Sequence, residues 1–152
     1  TEPITSFGGE IRLLADAMTE TMHAEDGIGL AGPQVGVLKR IFVTHVGGDE
    51  PRVFINPEIL ETSEDAVAYD EGCLSIPGIY APVSRPSKVK VYAQDVEGNP
   101  FTVEADGLLA RVIQHENDHL RGILFVDRLD EQTRSRVLDI YNRRNSRRKK
   151  RR

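Results

Sequence analysis

The segment Gln114-His115-Glu116-Asn117-Asp118-His119 places two histidines four residues apart, with a carboxylate beside the first. On an α-helix, positions i and i+4 share one face, about 5–6 Å apart at Cβ, which suits two imidazoles that bind one metal ion. The glutamate of such a motif can exchange protons with a water molecule at the metal. If the segment is helical, it predicts a metal-dependent hydrolase.

The residues around the motif favour a helix over a chance match on a solvated surface segment. Apolar residues precede the motif at helical spacing: Leu108, Leu109, Val112 and Ile113. Asp106 can cap the start of this helix, and Gly122 lies where its end is expected. We therefore expect the two histidines at the edge of a buried apolar stripe.

Apolar patterning divides the rest of the chain into helices, strands and loops. Residues 8–25 are predicted to form an amphipathic helix, and residues 129–144 a last helix capped by Asp130. Extended segments are predicted at 40–44, 53–57, 59–68, 88–93 and 101–105, with loops at 27–36, 76–78 and 97–99. Because strands and helices do not alternate, we expect an α+β fold, with mostly antiparallel strands around the central HExxH helix.

Two histidines do not complete a catalytic metal site, which takes three protein ligands and leaves one position open. His23 and His45 are expected to be ordinary surface residues, since one lies on the polar side of a helix and the other follows a strand. Cys73 follows a glycine and ends an extended segment, and as the only thiol it is the best third ligand. A buried apolar role is the alternative for this cysteine.

The glycine-rich residues 27–36 (GIGLAGPQVG) match neither a phosphate loop nor a dinucleotide fingerprint. They form either a simple helix-to-strand turn or a place where backbone approaches a ligand closely. In the second case, the Gln34 amide could donate to a carbonyl oxygen of the substrate.

The composition limits the compartment of the protein. The single cysteine excludes an intrachain disulfide framework, and no apolar run has the length of a membrane span. No secretory signal pattern is visible. We expect a cytoplasmic location, or an organelle if a transit segment was removed before Thr1, and no membrane partner.

The net charge of −4 hides a strong asymmetry along the chain. Residues 143–152 hold eight of the twenty Lys and Arg residues and no acid, so twelve basic and twenty-four acidic residues remain elsewhere. We therefore predict one catalytic domain, residues 1–142, and a basic tail, residues 143–152. The tail either binds polyanions or serves only as a solubilising terminus. The acidic domain does not favour sequence-specific binding of nucleic acid.

Three separated segments resemble, in order, the signatures of the peptide deformylase family. They are residues 27–34 (GIGLAGPQ), 71–75 (EGCLS) and 114–119 (QHENDH), and the similarity runs from about residue 3 to about residue 130. The resemblance implies hydrolysis of the N-terminal formyl group of nascent polypeptides that begin with formyl-Met, with release of formate.

The same resemblance implies roles for individual residues. Cys73, His115 and His119 would hold one divalent metal ion, Fe(II) in cells, with zinc, nickel or cobalt also able to work. Glu116 would carry the proton, and Gln34 and the backbone N–H of Leu74 would stabilise the oxyanion. The residues expected to contact the substrate are Gly27, Ile28, Gly29, Tyr69, Glu71, Gly72, Leu108 and Val112. A basic C-terminal helix contacts the ribosome in some bacterial members, so the tail at 143–152 is expected to do so here.

Two other classes compete with this interpretation. A zincin-like metallopeptidase also uses HExxH, but it recruits a third ligand downstream, and no histidine follows His119. A structural metal module would have a closed site, usually rich in cysteine. One cysteine and two histidines leave a position open, which favours catalysis.

Overall fold

The computed structural model describes residues 1–73 and 76–150, with side chains except those of residues 73, 76–78 and 145–150. Three helices are present: α1 (Gly9–Ala24), α2 (Gly107–Leu120) and α3 (Glu131–Lys150). Seven strands are present in the described parts of the chain: β1 (Gly29–Ala31), β2 (Ile41–Thr44), β3 (Arg52–Thr62), β4 (Ala66–Cys73), β5 (Ile76–Pro86), β6 (Lys88–Gln94) and β7 (Pro100–Asp106). Short 3₁₀ helices occur at Gly32–Val35 and Phe125–Arg128.

The described strands form two sheets, and neighbouring strands within each sheet are antiparallel. Five strands follow the order β1-β2-β3-β6-β7, and β4 pairs with β5 as a separate hairpin. This arrangement confirms the predicted α+β class with antiparallel strands and helices at both ends.

The five-stranded sheet is covered on both faces, which explains why β2 is buried along its whole length. Ile41 and Val43 pack with Met18 and Met22 of α1. Phe42 points to the opposite face, where it stacks on Phe54 at 4.8 Å and packs with residues of α2. A strand buried on both faces has a continuous apolar run rather than an alternating pattern, as residues 41–43 do.

A third apolar cluster joins the β4–β5 hairpin to α3 through Val83, Phe125 and Val137. The predicted cap of this helix is confirmed, because Asp130 accepts hydrogen bonds of 2.8 Å from both the backbone N–H and the hydroxyl of Thr133. The helix runs from Glu131 to Lys150, beyond the predicted end at residue 144, so it continues into the basic tail. Among the described residues, no helix is long and apolar enough to cross a membrane.

Two predicted loops are partly wrong. Residues 29–31 form β1, which pairs with β2 in the register Gly29↔Thr44 and Ala31↔Phe42, and residues 32–35 form a 3₁₀ helix. Residues 76–78 begin β5, opposite the end of β4. In both places, pairing with a neighbouring strand outweighs the local preference of glycine and proline for turns.

The predicted end of the second strand at Pro57 is also wrong, because β3 continues to Thr62. The ladder with β6 shifts register between Ile55 and Glu58, and Asn56 adopts a positive φ of 51° in this bulge. The bulge accommodates a proline that cannot donate to the ladder. The Asn56 side chain stabilises it by bonding to both backbone groups of Ile4.

Candidate metal centre and active site

Helix α2 holds the two histidines and the glutamate of the motif inside the protein. His115, Glu116 and His119 are 8%, 4% and 6% exposed, and their ligand atoms lie within 4.8 Å of one another. The helix is buried on nearly every side, and even Arg111 is buried. The two histidines therefore lie deeper than the predicted edge of an apolar stripe. Asp106 is at the N-cap position, but its side chain makes no capping hydrogen bond.

The two imidazoles are spaced for one metal ion. Their Nε2 atoms lie 3.2 Å apart. Two Zn–N bonds of about 2.0–2.1 Å at a tetrahedral angle would separate the nitrogens by roughly 3.3 Å. The observed distance therefore fits two ligands of a single divalent cation without a change of backbone.

Glu71 at the end of β4 orients the first of these imidazoles. Its Oε1 atom lies 2.8 Å from Nδ1 of His115. Because an ionised carboxylate only accepts hydrogen bonds, Nδ1 is the donor and the Nε2 lone pair faces the metal position.

Buried arginines hold Glu71 in its charged form. Arg85 donates to both of its oxygens, at 2.6 and 2.9 Å, and Arg111 donates to Oε2. Burial alone raises the pKa of Glu71, but the hydrogen bonds from His115 and Arg85 outweigh it and bring the pKa to about 2. Glu71 is therefore an anion throughout the neutral range.

The network extends to a second carboxylate on α2. Asp118 accepts a hydrogen bond of 2.9 Å from Arg85 and bonds of 3.0 and 2.8 Å from Arg128. Burial alone lowers the pKa of Arg85. Its bonds to Glu71 and Asp118 outweigh this effect and raise the pKa above its usual value, so the guanidinium stays charged. These ion pairs attach the β4–β5 hairpin to the helix of the motif.

Glu116 lies beside the metal position, with its Oε1 atom 3.9 Å from Nε2 of His115. Gly29 of β1 packs directly against it. A Cβ atom at residue 29 would lie 2.9 Å from Cγ of Glu116 and 2.8 Å from Cγ1 of Val112. Only glycine allows β1 to approach the carboxylate this closely.

We expect Gly29→Ala to lower kcat/KM for the reaction at this site by roughly tenfold or more, because the added methyl displaces Glu116 from its position. Steady-state kinetics of the metal-loaded variant measure this. Gly47→Ala is the matched control, since a Cβ there meets nothing within 4 Å. If Gly29→Ala retained the kinetics of that control, the contact with Glu116 would have no role in catalysis.

A cavity of about 410 Å³ opens onto His115 and Glu116. It is lined by Gln34 and by all eight residues that the family resemblance predicts at the substrate: Gly27, Ile28, Gly29, Tyr69, Glu71, Gly72, Leu108 and Val112. His119 is not part of the cavity wall.

The wall also contains Arg111, and three further residues of it were not foreseen: Asp26, Asp70 and Tyr80. Tyr80 was missed because β5, on which it lies, was predicted to begin with a loop. Its ring contacts Gly72, where a Cβ atom would collide with it.

The Gln34 amide is oriented by its own loop. Its Oε1 atom accepts a hydrogen bond of 2.8 Å from the backbone N–H of Ala31. The acceptor end of the amide is thereby directed to the backbone, so the NH₂ end is the end that donates.

Two predicted site residues are outside the described part of the structure. They are Leu74, of which nothing is described, and Cys73, of which only the backbone is described, at the end of β4. His23 and His45 lie elsewhere and share a hydrogen bond of 2.8 Å between Nε2 of His23 and Nδ1 of His45. No further His, Asp or Glu within the described residues joins the group on α2.

A buried His-Glu-His group on the central helix of an α+β fold, beside an apolar cavity, defines a metal-dependent hydrolase. The family model described as polypeptide deformylase matches residues 1–135. The chain belongs to the polypeptide deformylase family, whose members remove the N-formyl group from nascent peptides, and this is its activity.

Similar proteins support this assignment over most of the chain. Peptide deformylase 1 of Clostridium perfringens is 53% identical over 125 residues, which are 82% of this chain and 84% of the relative. Peptide deformylase of Azotobacter vinelandii is 52% identical over 138 residues, which are 90% of this chain and 82% of the relative.

Solved structures agree with the sequence comparisons. A plant peptide deformylase superposes with a TM-score of 0.91 at 38% identity, over 99% of this chain and 84% of the other. Peptide deformylase from Thermus thermophilus superposes with a TM-score of 0.89 at 42% identity, over 93% of this chain and 84% of the other.

Proposed function

We propose that His115, His119 and Cys73 bind one divalent metal ion and that Glu116 moves the proton during hydrolysis of the formyl group. The observation that carries this proposal is the 3.2 Å spacing of the two Nε2 atoms, with the buried Glu116 carboxylate next to them. Bound there, the cation supplies Lewis acidity to water and to the formyl carbonyl oxygen.

The choice of Cys73 as third ligand rests on the position of β4. Glu71 lies two residues earlier on this strand, and its carboxylate contacts His115. The end of β4 therefore lies against the helix that carries the two histidines. Three protein ligands leave one position for reactants, as a catalytic site requires.

Glu116 is the proton carrier in this proposal. Its carboxylate takes a proton from the attacking water as oxygen adds to the formyl carbon. It then delivers that proton to the amide nitrogen as the C–N bond breaks, which yields formate and a free N-terminus. A carboxylate that performs both transfers has to remain close to both positions, and the burial of Glu116 against Gly29 restricts its movement.

Negative charge that develops on the formyl oxygen needs donors in fixed positions. We assign this role to the Gln34 NH₂ group and to the backbone N–H of Leu74. The bond from Ala31 N–H to the other end of the Gln34 amide supports this assignment, because it fixes which end can donate.

The substrate is proposed to bind in extended form beside β1. This strand is at one end of the order β1-β2-β3-β6-β7, so one edge of its backbone can pair with a peptide. The backbone at Gly27, Gly29 and Gly72 would contact the peptide main chain. The Met side chain would enter the pocket formed by Ile28, Tyr69, Leu108 and Val112.

Glu71 lines the same cavity, but its oxygens already accept from three side chains. We therefore propose that the Glu71 carboxylate orients His115. Any contact between Glu71 and the peptide would be made by the main chain of Glu71.

Fe(II) is the metal that we propose for the cell, and zinc, nickel and cobalt are substitutes. Protein purified anaerobically and loaded with Fe(II) should release one formate for each formyl-Met peptide consumed. The matched acetyl-Met peptide should react far more slowly, because an added methyl group crowds the carbonyl carbon. An Fe(II)-loaded protein that released no formate would contradict the proposal.

The basic tail at 143–152 is proposed to hold the enzyme near the ribosome, where its substrate emerges. Phosphate contacts of this kind weaken steeply with salt. Deletion of residues 143–152 should therefore abolish co-sedimentation with ribosomes at low salt and leave peptide kinetics unchanged. Equal co-sedimentation of the intact and truncated proteins would rule out this role.

The location that we propose is a bacterial-type cytoplasm, with an organelle as the alternative. Both compartments contain ribosomes that begin synthesis with formyl-Met.

A further inference from the structure

Arg111 lies on α2 four residues before the proposed metal ligand His115, about one turn of the helix, yet it takes no part in the mechanism above. Its side chain is buried, with 9% of the residue exposed. The guanidinium donates to Glu71 and, at 2.9 Å, to the backbone oxygen of Val83. Its second terminal nitrogen donates to the backbone oxygen of Val67. One side chain thus reaches both strands of the β4–β5 hairpin.

The contact with Glu71 has a geometry that concerns the metal site. Arg111 and His115 are at positions i and i+4 of the same helix, and both bind the same carboxylate. Arg111 donates to Oε2, whereas Nδ1 of His115 donates to Oε1. The two oxygens are therefore held by successive turns of α2, which fixes the plane of the carboxylate along the helix.

Arg85 cannot replace this contact. It also binds Glu71, but it lies on β5, in the same hairpin as the carboxylate. Arg85 thus holds Glu71 from within the hairpin, and it reaches α2 at Asp118, one turn beyond Glu71's partner His115. Arg111 fixes Glu71 against the helix that carries the metal ligands.

We propose that Arg111 is a positioning residue for the metal: it fixes His115 through Glu71. This inference rests on the proposed ligand role of His115. Arginine suits the position because its planar fork can donate to three acceptors at once, whereas the single ammonium of lysine has no such fork.

Zinc affinity, measured by competition with a chelator on the full chain, tests the proposal without any turnover. Arg111→Met should weaken zinc binding by about 10–100-fold, the usual loss when a group behind a metal ligand is removed. Arg111→Lys should recover part of this loss. Arg128→Met is the matched control: Arg128 binds Asp118 in the same network but has no contact with Glu71, so zinc affinity should stay within about threefold of wild type.

A double-mutant cycle separates action through Glu71 from a general fastening of the hairpin. If Arg111 acts through Glu71, adding Arg111→Met to Glu71→Gln should weaken zinc binding by less than about threefold further. If the full loss recurs in the Glu71→Gln background, the carbonyl contacts explain it and the proposal is overturned.

Folding of each variant is checked by circular dichroism. If Arg111→Met does not fold, Arg111→Lys decides alone: affinity within about threefold of wild type overturns the proposal, and a larger loss supports it. Formate release is recorded in parallel on wild-type protein. A wild-type protein that binds zinc but releases no formate when it is loaded with Fe(II) would contradict the proposed function and leave the role of Arg111 intact.

Discussion

Replacing Glu116 with glutamine is expected to lower kcat for formate release by about 10²–10⁴-fold, the usual contribution of a general acid–base group. Glutamine keeps the shape of the side chain that packs against Gly29, but its amide cannot accept a proton from water. The metal ligands are untouched, so the metal content should stay at the wild-type value. Formate release and metal analysis of the same preparation measure both quantities.

A matched control separates this effect from a change of net charge. Glu104→Gln makes the same replacement at an exposed position of β7, and its kinetics should equal those of wild type. If Glu116→Gln retained more than about a tenth of wild-type activity with its metal in place, another group would have to carry the proton.

The helix of the motif and the central strands could be predicted because their signals are local. Apolar residues at helical spacing precede His115, and the run at 41–43 predicts a buried strand. The ligand spacing follows from the helix itself, since residues 115 and 119 share a face wherever the helix lies. The depth of burial could not be predicted, because it depends on what packs around α2.

The parts that were missed depend on partners elsewhere in the chain rather than on a local pattern. β1 exists only because residues 29–31 pair with β2, and the start of β5 only because it pairs with β4. The carboxylate behind His115 comes from Glu71, 44 residues earlier, and the resemblance placed it among the substrate contacts. Neither a glycine-rich stretch nor an isolated glutamate identifies the strand or side chain that will lie beside it.

The same long-range contacts give the site its stability and its geometry together. Glu71 and Asp118 are buried acids, and each would be costly to bury without a cationic partner. Arg85 binds both, so one guanidinium neutralises the group behind His115 and ties the hairpin to α2. Arg85 is therefore the residue whose loss should affect folding most within this network.

Arg85→Ala is expected to lower the free energy of unfolding by about 3 kcal/mol, near the lower end for breaking a buried ion pair. The lower end applies because Arg111 and His115 still bind Glu71, and Arg128 still binds Asp118. For a domain of ordinary stability, about 5–15 kcal/mol, this is a large fraction of the total. Urea unfolding monitored by circular dichroism, with chelator present to remove the contribution of the metal, measures the loss.

Arg12→Ala is the control for this loss of stability, because it removes an exposed ion pair instead of a buried one. Arg12 pairs with Glu97 at 3.0 Å, but the two side chains are 56% and 63% exposed. Solvent screens such a pair, and its removal should cost less than about 1 kcal/mol. If both variants lost the same small amount, the remaining partners of Glu71 and Asp118 would be sufficient for folding. Arg85 would then matter only for the geometry of the metal site, and its loss would appear in zinc affinity rather than in unfolding.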